Sequence, residues 1–501
     1  MPNKLFTRSL LLVLSLSCSL VLSQVLSPPP VLAQQESGTQ PPSVSSADNT
    51  AYAIAYVGPS RDSRQIRLVD PDGSNDRLLW AAPPDTQRQD GIGELSWRSD
   101  AGELAFDSGH DWHRSLYVRD IYALTPSGGG FRRLTRPPAA GGTNAYPTGT
   151  VSFWVQPNTV GDVELYVEGM DHAVSIAARS NLAYSMTLTV ADLGPNVRQY
   201  IRLYDPTGAM GVRCDYNQAG WVDVVAGQVT DIGTIWFGFG TEYTCPSALR
   251  PAWLLNRNEL LYLAAEADGS GLQDDSNVWR IAGDAPPASP GERILDYSQY
   301  VADGRLTLAV PGRTAATANQ FLAVVDQTPW SPSIFRAPVD DPGQREFINW
   351  GRCRITCDIT GLAWLPDGSG FLFSLTGSDY GAGGKIEQVG AIYHYTFADE
   401  TLTELYRISK EAIGRLDLSP DGAQIVFERS NGLDATTQNH WLRPTLLCPC
   451  QLWLINSDGT NAHLFVQDGR APVWSPAPLT DTAPPPQGEF EAAVFLPLVK
   501  P

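Results

Sequence analysis

Short apolar segments alternate with polar turns along almost the whole chain. In Leu95-Ser96-Trp97-Arg98-Ser99-Asp100-Ala101-Gly102-Glu103-Leu104-Ala105-Phe106, a strand runs to a Trp, a polar turn follows, and a second strand leaves it with alternating apolar side chains. The same figure returns at Trp364-Leu365-Pro366-Asp367-Gly368 before Phe371-Leu372-Phe373, and at Leu418-Ser419-Pro420-Asp421-Gly422 before Ile425-Val426-Phe427. Weaker copies place Trp253 ahead of Leu260-Leu261-Tyr262, and Tyr300-Val301-Ala302-Asp303-Gly304 ahead of a second strand holding Leu306 and Leu308. A last marker, Val473-Trp474-Ser475-Pro476, has no second strand after it. Each strand pair is followed by a third strand, a Gly-containing turn and a fourth strand, as in Ile66-Arg67-Leu68-Val69, Asp70-Pro71-Asp72-Gly73 and Leu78-Leu79-Trp80. The markers at 97, 253, 300, 364, 418 and 474 fall 47 to 64 residues apart, except for one interval of 156. Four strands in roughly 40 to 60 residues is the arithmetic of a propeller blade.

The orphan marker at Trp474 and the headless strand Ala53-Ile54-Ala55-Tyr56-Val57 complete each other, which leaves no open sheet edge. The expected fold is all-β: a six-bladed propeller closed by its N- and C-terminal strands over residues 51–476. The long interval, 141–247, interrupts it between blades 2 and 3. Its own short strands, among them Val151–Val155, Val163–Val167, Met186–Val190, Ile201–Tyr204 and Ile232–Trp236, predict a separate β-sandwich.

Four features carry a resemblance to a known family: the Trp-Ser-Pro-Asp-Gly type of turn, the apolar strand after it, the third strand Asp120-Ile121-Tyr122 and the blade end Arg133-Leu134-Thr135. Together they resemble the TolB-type propeller repeat, over residues 51–137 and 248–476. The insert, from its Gly149-Thr150-Val151 opening to Val224-Val225-Ala226-Gly227-Gln228-Val229-Thr230-Asp231, resembles a carboxypeptidase-regulatory-like or pre-peptidase-like sandwich. TolB-type propellers occur in periplasmic scaffold proteins, in sugar-degrading enzymes and as front domains of serine peptidases, so the resemblance implies a fold and leaves function open.

Composition narrows the partners. With 35 Lys and Arg against 54 Asp and Glu, the net charge of −19 excludes a nucleic-acid binder steered by bulk positive charge. Gly and Pro make up about 17% of the chain against roughly 12% on average, in keeping with many turns. The first residues read as a secretory signal: Lys4 and Arg8, an apolar run from Ser9 to Val25, a triple-Pro break at 28–30, and small residues that place cleavage after Ala33. A lipoprotein reading through Cys18 meets Ser15 where an aliphatic residue is wanted. Residues 34–50 read as a flexible spacer and 477–501 as a Pro-rich linker with a short apolar tail. No later run is long and apolar enough to span a bilayer.

Export would leave Cys214, Cys245, Cys353, Cys357, Cys448 and Cys450, an even set in an oxidising compartment, which favours disulfides. A Cys214–Cys245 bridge would stabilise the insert by roughly 3 to 4 kcal/mol. Cys353 and Cys357 with Cys448 and Cys450 could form a four-thiolate zinc site, but an oxidising compartment favours bridges, and their pairing stays open.

Catalytic signatures are thin. The string Gly377-Ser378-Asp379-Tyr380-Gly381 departs from a nucleophile elbow, and no room follows Trp474 for a hydrolase domain. Asp70 to Asp76 crowds oxygen ligands without the bidentate Glu of a Ca²⁺ loop. His110-Asp111-Trp112-His113 offers at most two metal ligands, and no metal or cofactor is expected. Connections between second and third strands and between blades emerge at one end of a propeller. That end would gather His110, Trp112, His113, Asp274, Asp275, Asp379, Tyr380, His440 and Trp441 as a binding face. The reading is a secreted, monomeric, non-catalytic binding or scaffold protein for a protein or glycan at the cell envelope. The alternative is a propeller-based glycan lyase or hydrolase.

Overall fold

A computed structural model describes residues 52–60, 63–82, 91–110, 119–135, 247–265, 277–285, 291–295, 307–309, 319–326, 332–351, 356–380, 386–430 and 450–479, with the backbone of the strands between 148 and 237. Six antiparallel four-stranded sheets make up a propeller. Blade 2 runs outward from the axis through Ile92–Trp97, Leu104–Ser108, Asp120–Leu124 and Arg132–Arg133. Blades 3, 5 and 6 begin at Ser247–Trp253, Thr356–Trp364 and Ala412–Leu418, and each adds three strands in sequence order. The innermost strands lie side by side around the axis.

Blade 1 is assembled from both ends of the ring. Its second, third and fourth strands, Ile54–Gly58, Gln65–Val69 and Arg77–Ala81, are met on the axial side by Arg470–Trp474. The pairs are Ile54 with Trp474, Ala55 with Val473 and Val57 with Arg470. The closure expected from the two half-blades is the one observed.

Period-2 alternation explains the packing between blades. Ala55 and Val57 face blade 2, whereas Ile54 and Tyr56 face blade 6. Leu104 and Phe106 join the cluster with blade 1, whereas Ala105 joins the cluster with blade 3. Both faces of each central strand are buried, so these strands read as nearly continuous apolar runs. Six hydrophobic clusters, one at each junction, complete the circle. The repeated markers Trp97, Trp253, Trp364, Leu418 and Trp474 each pack on the preceding blade.

Blade 4 corrects one sequence expectation. Its innermost strand is Thr307–Ala309 and its second is Gln320–Asp326, so Leu308 lies one strand nearer the axis than the Tyr300 marker implied. The stronger apolar run, Phe321-Leu322-Ala323-Val324, fills the doubly buried second position and leaves only a short strand for the axis.

Between blades 2 and 3 the chain forms two further sheets. Leu182–Thr189, Thr148–Pro157 and Val229–Phe237 make one; Val174–Ile176, Val163–Val167, Asn196–Tyr204, Val212–Arg213 and Trp221–Val225 make the other.

Candidate functional site

The innermost strands of blades 2, 3, 5 and 6 share a local irregularity at the channel. Pairing with the second strand shifts between Ile92 and Leu95 in blade 2, Leu249 and Ala252 in blade 3, Ile359 and Gly361 in blade 5, and Ile413 and Leu416 in blade 6. Such a bulge leaves backbone groups without a ladder partner. A polar side chain from the second strand, just past its buried aromatic residue, answers them: Asp107 after Phe106, Ser374 after Phe373 and Glu428 after Phe427.

Glycine makes room for each. A Cβ on Gly93 would overlap the Asp107 carboxylate, one on Gly414 would lie 2.8 Å from the Glu428 carboxyl carbon, and one on Gly361 would lie 2.8 Å from the Ser374 hydroxyl. These are steric vacancies kept for a neighbour.

The polar groups then tie blade to blade. Asp107, 2% exposed, accepts the Glu94 amide at 2.7 Å and the Arg250 amide of blade 3 at 3.3 Å through Oδ1. Its Oδ2 holds Arg119 Nη2 at 2.6 Å. Glu94 Oε1 receives Arg415 Nε at 2.8 Å, a contact that joins blade 2 to blade 6 past the innermost strand of blade 1. Arg470, 4% exposed, donates to the Ile92 and Gly93 carbonyls at 3.1 Å each. Glu428 accepts the Ala471 amide at 3.3 Å and is the countercharge of Arg470. Burial pushes the Glu428 carboxyl up and weakens the hold of Arg470 on its proton, the Coulomb attraction between them opposing both effects. In blade 5 the neutral hydroxyls of Ser374 and Thr360 donate to the blade 6 carbonyls of Gly414 and Ile413, each at 2.6 Å.

One position farther along, the residue before the marker holds the next blade. Ser96 Oγ accepts the Trp253 amide at 3.0 Å, and Asp417 Oδ2 accepts the Trp474 amide at 2.7 Å. Asp417 Oδ1 also accepts the Leu418 amide. Burial nevertheless dominates and pushes its carboxyl up to about 7.

No family model matches the chain, and no curated protein matches its sequence. Among solved structures it is similar to TolB from Acinetobacter baumannii, with 11% identity and a TM-score of 0.41 over 85% of this chain and 66%, just under two thirds, of that one. It is also similar to a putative TolB from Agrobacterium tumefaciens, with 11% identity and a TM-score of 0.36 over 84% and 91% of the two chains. A putative 6-phosphogluconolactonase from Bacteroides uniformis is similar at 12% identity and a TM-score of 0.36, over 85% of this chain and 100% of that one. Likeness at these identities carries no function with it.

The sequence-predicted residues fall into three groups. His110 is half-buried with its ring 4.4 Å from that of Tyr122, 5.0 Å from that of Trp80 and 5.6 Å from that of Phe131, so it packs in the aromatic cluster between blades 1 and 2. Asp379 and Tyr380 end the second strand of blade 5, and the buried Cys357 and Cys450 lie near the starts of the first strand of blade 5 and the third of blade 6. Strand alternation brings these positions to one end of their blades. Trp112, His113, Asp274, Asp275, His440, Trp441, Cys214, Cys245, Cys353 and Cys448 lie outside the described residues. Among the described residues, no group of three or more His, Cys, Asp or Glu could hold a metal ion, and no helix is long and apolar enough to cross a membrane.

The channel charges were missed by sequence reasoning, although a signal exists. Glu94, Arg250 and Arg415 each stand three residues before a marker, and Asp107 and Glu428 each follow the aromatic residue of a second strand.

Proposed function

We propose that this chain is an exported, monomeric, non-catalytic binding propeller that engages a protein or glycan at the cell envelope. Binding takes place at the end where second-to-third-strand and blade-to-blade connections emerge. The observation that carries this reading is the use made of charge in the channel. Glu94 with Arg415, Asp107 with Arg119, and Glu428 with Arg470 are committed to holding neighbouring blades together and to capping bulged backbone. Such groups stiffen a platform, and recognition falls to the loops mounted on it. Trp112 and Trp441 are the proposed anchors, with His113, Asp274, Asp275, Asp379, Tyr380 and His440 around them. The segment 141–247 is proposed as a separate sandwich carried at the same end.

Export through the signal at 1–33 is part of the proposal, with the cysteines in disulfide bonds, a chemistry suited to an oxidising compartment.

The test is co-sedimentation of the purified chain with isolated cell-envelope fragments. The double variant Trp112→Ala/Trp441→Ala should stay in the supernatant and keep the parent's melting temperature. Equal sedimentation of parent and variant would refute the loop site. Release of new reducing ends from an envelope polysaccharide would favour the lyase or hydrolase.

A further inference from the structure

At the opposite end of the ring, where first and second strands turn into each other, blades 5 and 6 leave a cavity of about 360 Å³. Its lining includes Leu365, Asp367, Leu372, His394, Leu418 and Asp421. A volume of this size lies at the small end of ligand pockets. Two copies of the repeated Pro-Asp-Gly turn shape the rim, with Gly368 and Gly422 at φ values of 72° and 73° that L side chains rarely adopt. Each turn consumes one carboxylate oxygen. Asp367 Oδ1 accepts the Ser369 amide and hydroxyl at 2.9 and 2.7 Å, and Asp421 Oδ1 accepts the Ser419 hydroxyl and the Ala423 amide at 2.6 and 3.0 Å. Their Oδ2 atoms take no hydrogen bond among the described residues, and no Lys or Arg there pairs with either aspartate.

A second, independent feature lies in the wall. His394, on the third strand of blade 5, has a buried Nε2 with no hydrogen-bond partner. Burial lowers its proton affinity against the opposing pull of Asp367 and Asp399, which favours the neutral ring. A neutral imidazole has one nitrogen able to accept a hydrogen bond. A buried polar atom without a partner costs roughly 1 to 3 kcal/mol and calls for an explanation.

We propose that this cavity binds an aliphatic primary ammonium, the chemistry of a lysine side chain or a linear polyamine. Leu365, Leu372 and Leu418 would sheathe the methylenes, Asp367 and Asp421 would neutralise the charge, and His394 would accept a hydrogen bond from the ammonium. An anion would meet two carboxylates on the exposed rim. The site lies at the other end of the ring from the loop face and does not depend on it.

Calorimetric titration with Nα-acetyl-lysine methylamide, cadaverine and the norleucine counterpart of the lysine probe tests this. The cations should bind, and the norleucine compound should bind at least tenfold more weakly. Asn retains the side-chain acceptor that the turns use, so Asp367→Asn/Asp421→Asn should fold and should weaken the cations at least tenfold. Binding of cadaverine without the lysine probe would identify a polyamine site, and binding of the lysine probe a site for a partner's side chain. Equal binding of norleucine, an unaffected double variant, or no binding of either cation at about 10 mM, where even millimolar affinity registers, would overturn the proposal. Should the double variant not fold, His394→Leu decides the matter: cation affinity equal to the parent's would overturn it.

Discussion

Trp474 closes the ring, and removing its side chain separates two effects of closure. The residue is 4% exposed and packs with Ile54, Tyr56, Val426, Leu452 and Leu454 where blade 6 meets blade 1. Truncating a buried Trp to Ala costs about 3 to 5 kcal/mol through lost contacts and the cavity left behind. The Trp474 indole N–H is buried without a partner, so its removal relieves part of a desolvation penalty and places Trp474→Ala near the lower end, about 3 kcal/mol. Trp364 is the control: its indole donates to the Ala309 carbonyl at 3.1 Å, and Trp364→Ala should cost about 5 kcal/mol because that carbonyl loses its donor. Urea unfolding should therefore rank Trp364→Ala as the less stable protein. Hydrogen exchange should reverse the order at the seam, with peptides covering 52–58 and 470–475 opening faster in Trp474→Ala. Seam exchange no faster in Trp474→Ala than in Trp364→Ala would refute the idea that this side chain latches the ring.

Gly93→Ala should lower the urea midpoint sharply, because the new methyl overlaps the Asp107 carboxylate, and the double variant Gly93→Ala/Asp107→Gly should regain part of the loss. Asp417 predicts a pH dependence: its folded carboxyl titrates near 7 and an unfolded one near about 4. The folded chain therefore binds that proton more tightly, and stability present below about pH 4 is lost as pH rises through about 7. Asp417→Asn should flatten the urea midpoint between pH 5 and 8. Replacing 141–247 by a short Gly/Ser linker should leave the near-UV dichroism of the propeller intact; its loss would show that the insert shares a core with the ring.

The ring was legible in the chain because its information is local and repeated. Most markers meet their own second strand a few residues later, and the buried face recurs with the strand period, so Trp97, Trp253 and Trp364 announce their blades without knowledge of the whole, while Trp474 does so by the strand it lacks. Blade 4 was misread where that signal fades: no Trp or Pro-Asp-Gly turn stands between Thr307–Ala309 and Gln320–Asp326, and Tyr300 stood in for them. The channel was hidden for a different reason. Arg415 and Glu94 are 321 residues apart and meet only once six blades have closed a circle. Their opposite signs on equivalent positions break the repeat by which the blades were recognised. His110 was expected on the binding face from its polar-aromatic string, and its half-buried ring packs with Trp80, Tyr122 and Phe131.

The split blade also has a consequence in time. Ile54–Gly58 leaves a ribosome more than 400 residues ahead of its axial partner, Arg470–Trp474. At about 5 to 20 residues per second that delay is roughly 20 to 80 seconds. Throughout it, an apolar strand, buried along its whole length in the finished ring, waits with one row of amides and carbonyls unclaimed. A nascent chain of this design needs either a chaperone to shield that edge or a passage across the membrane that keeps it unfolded until its last strand arrives.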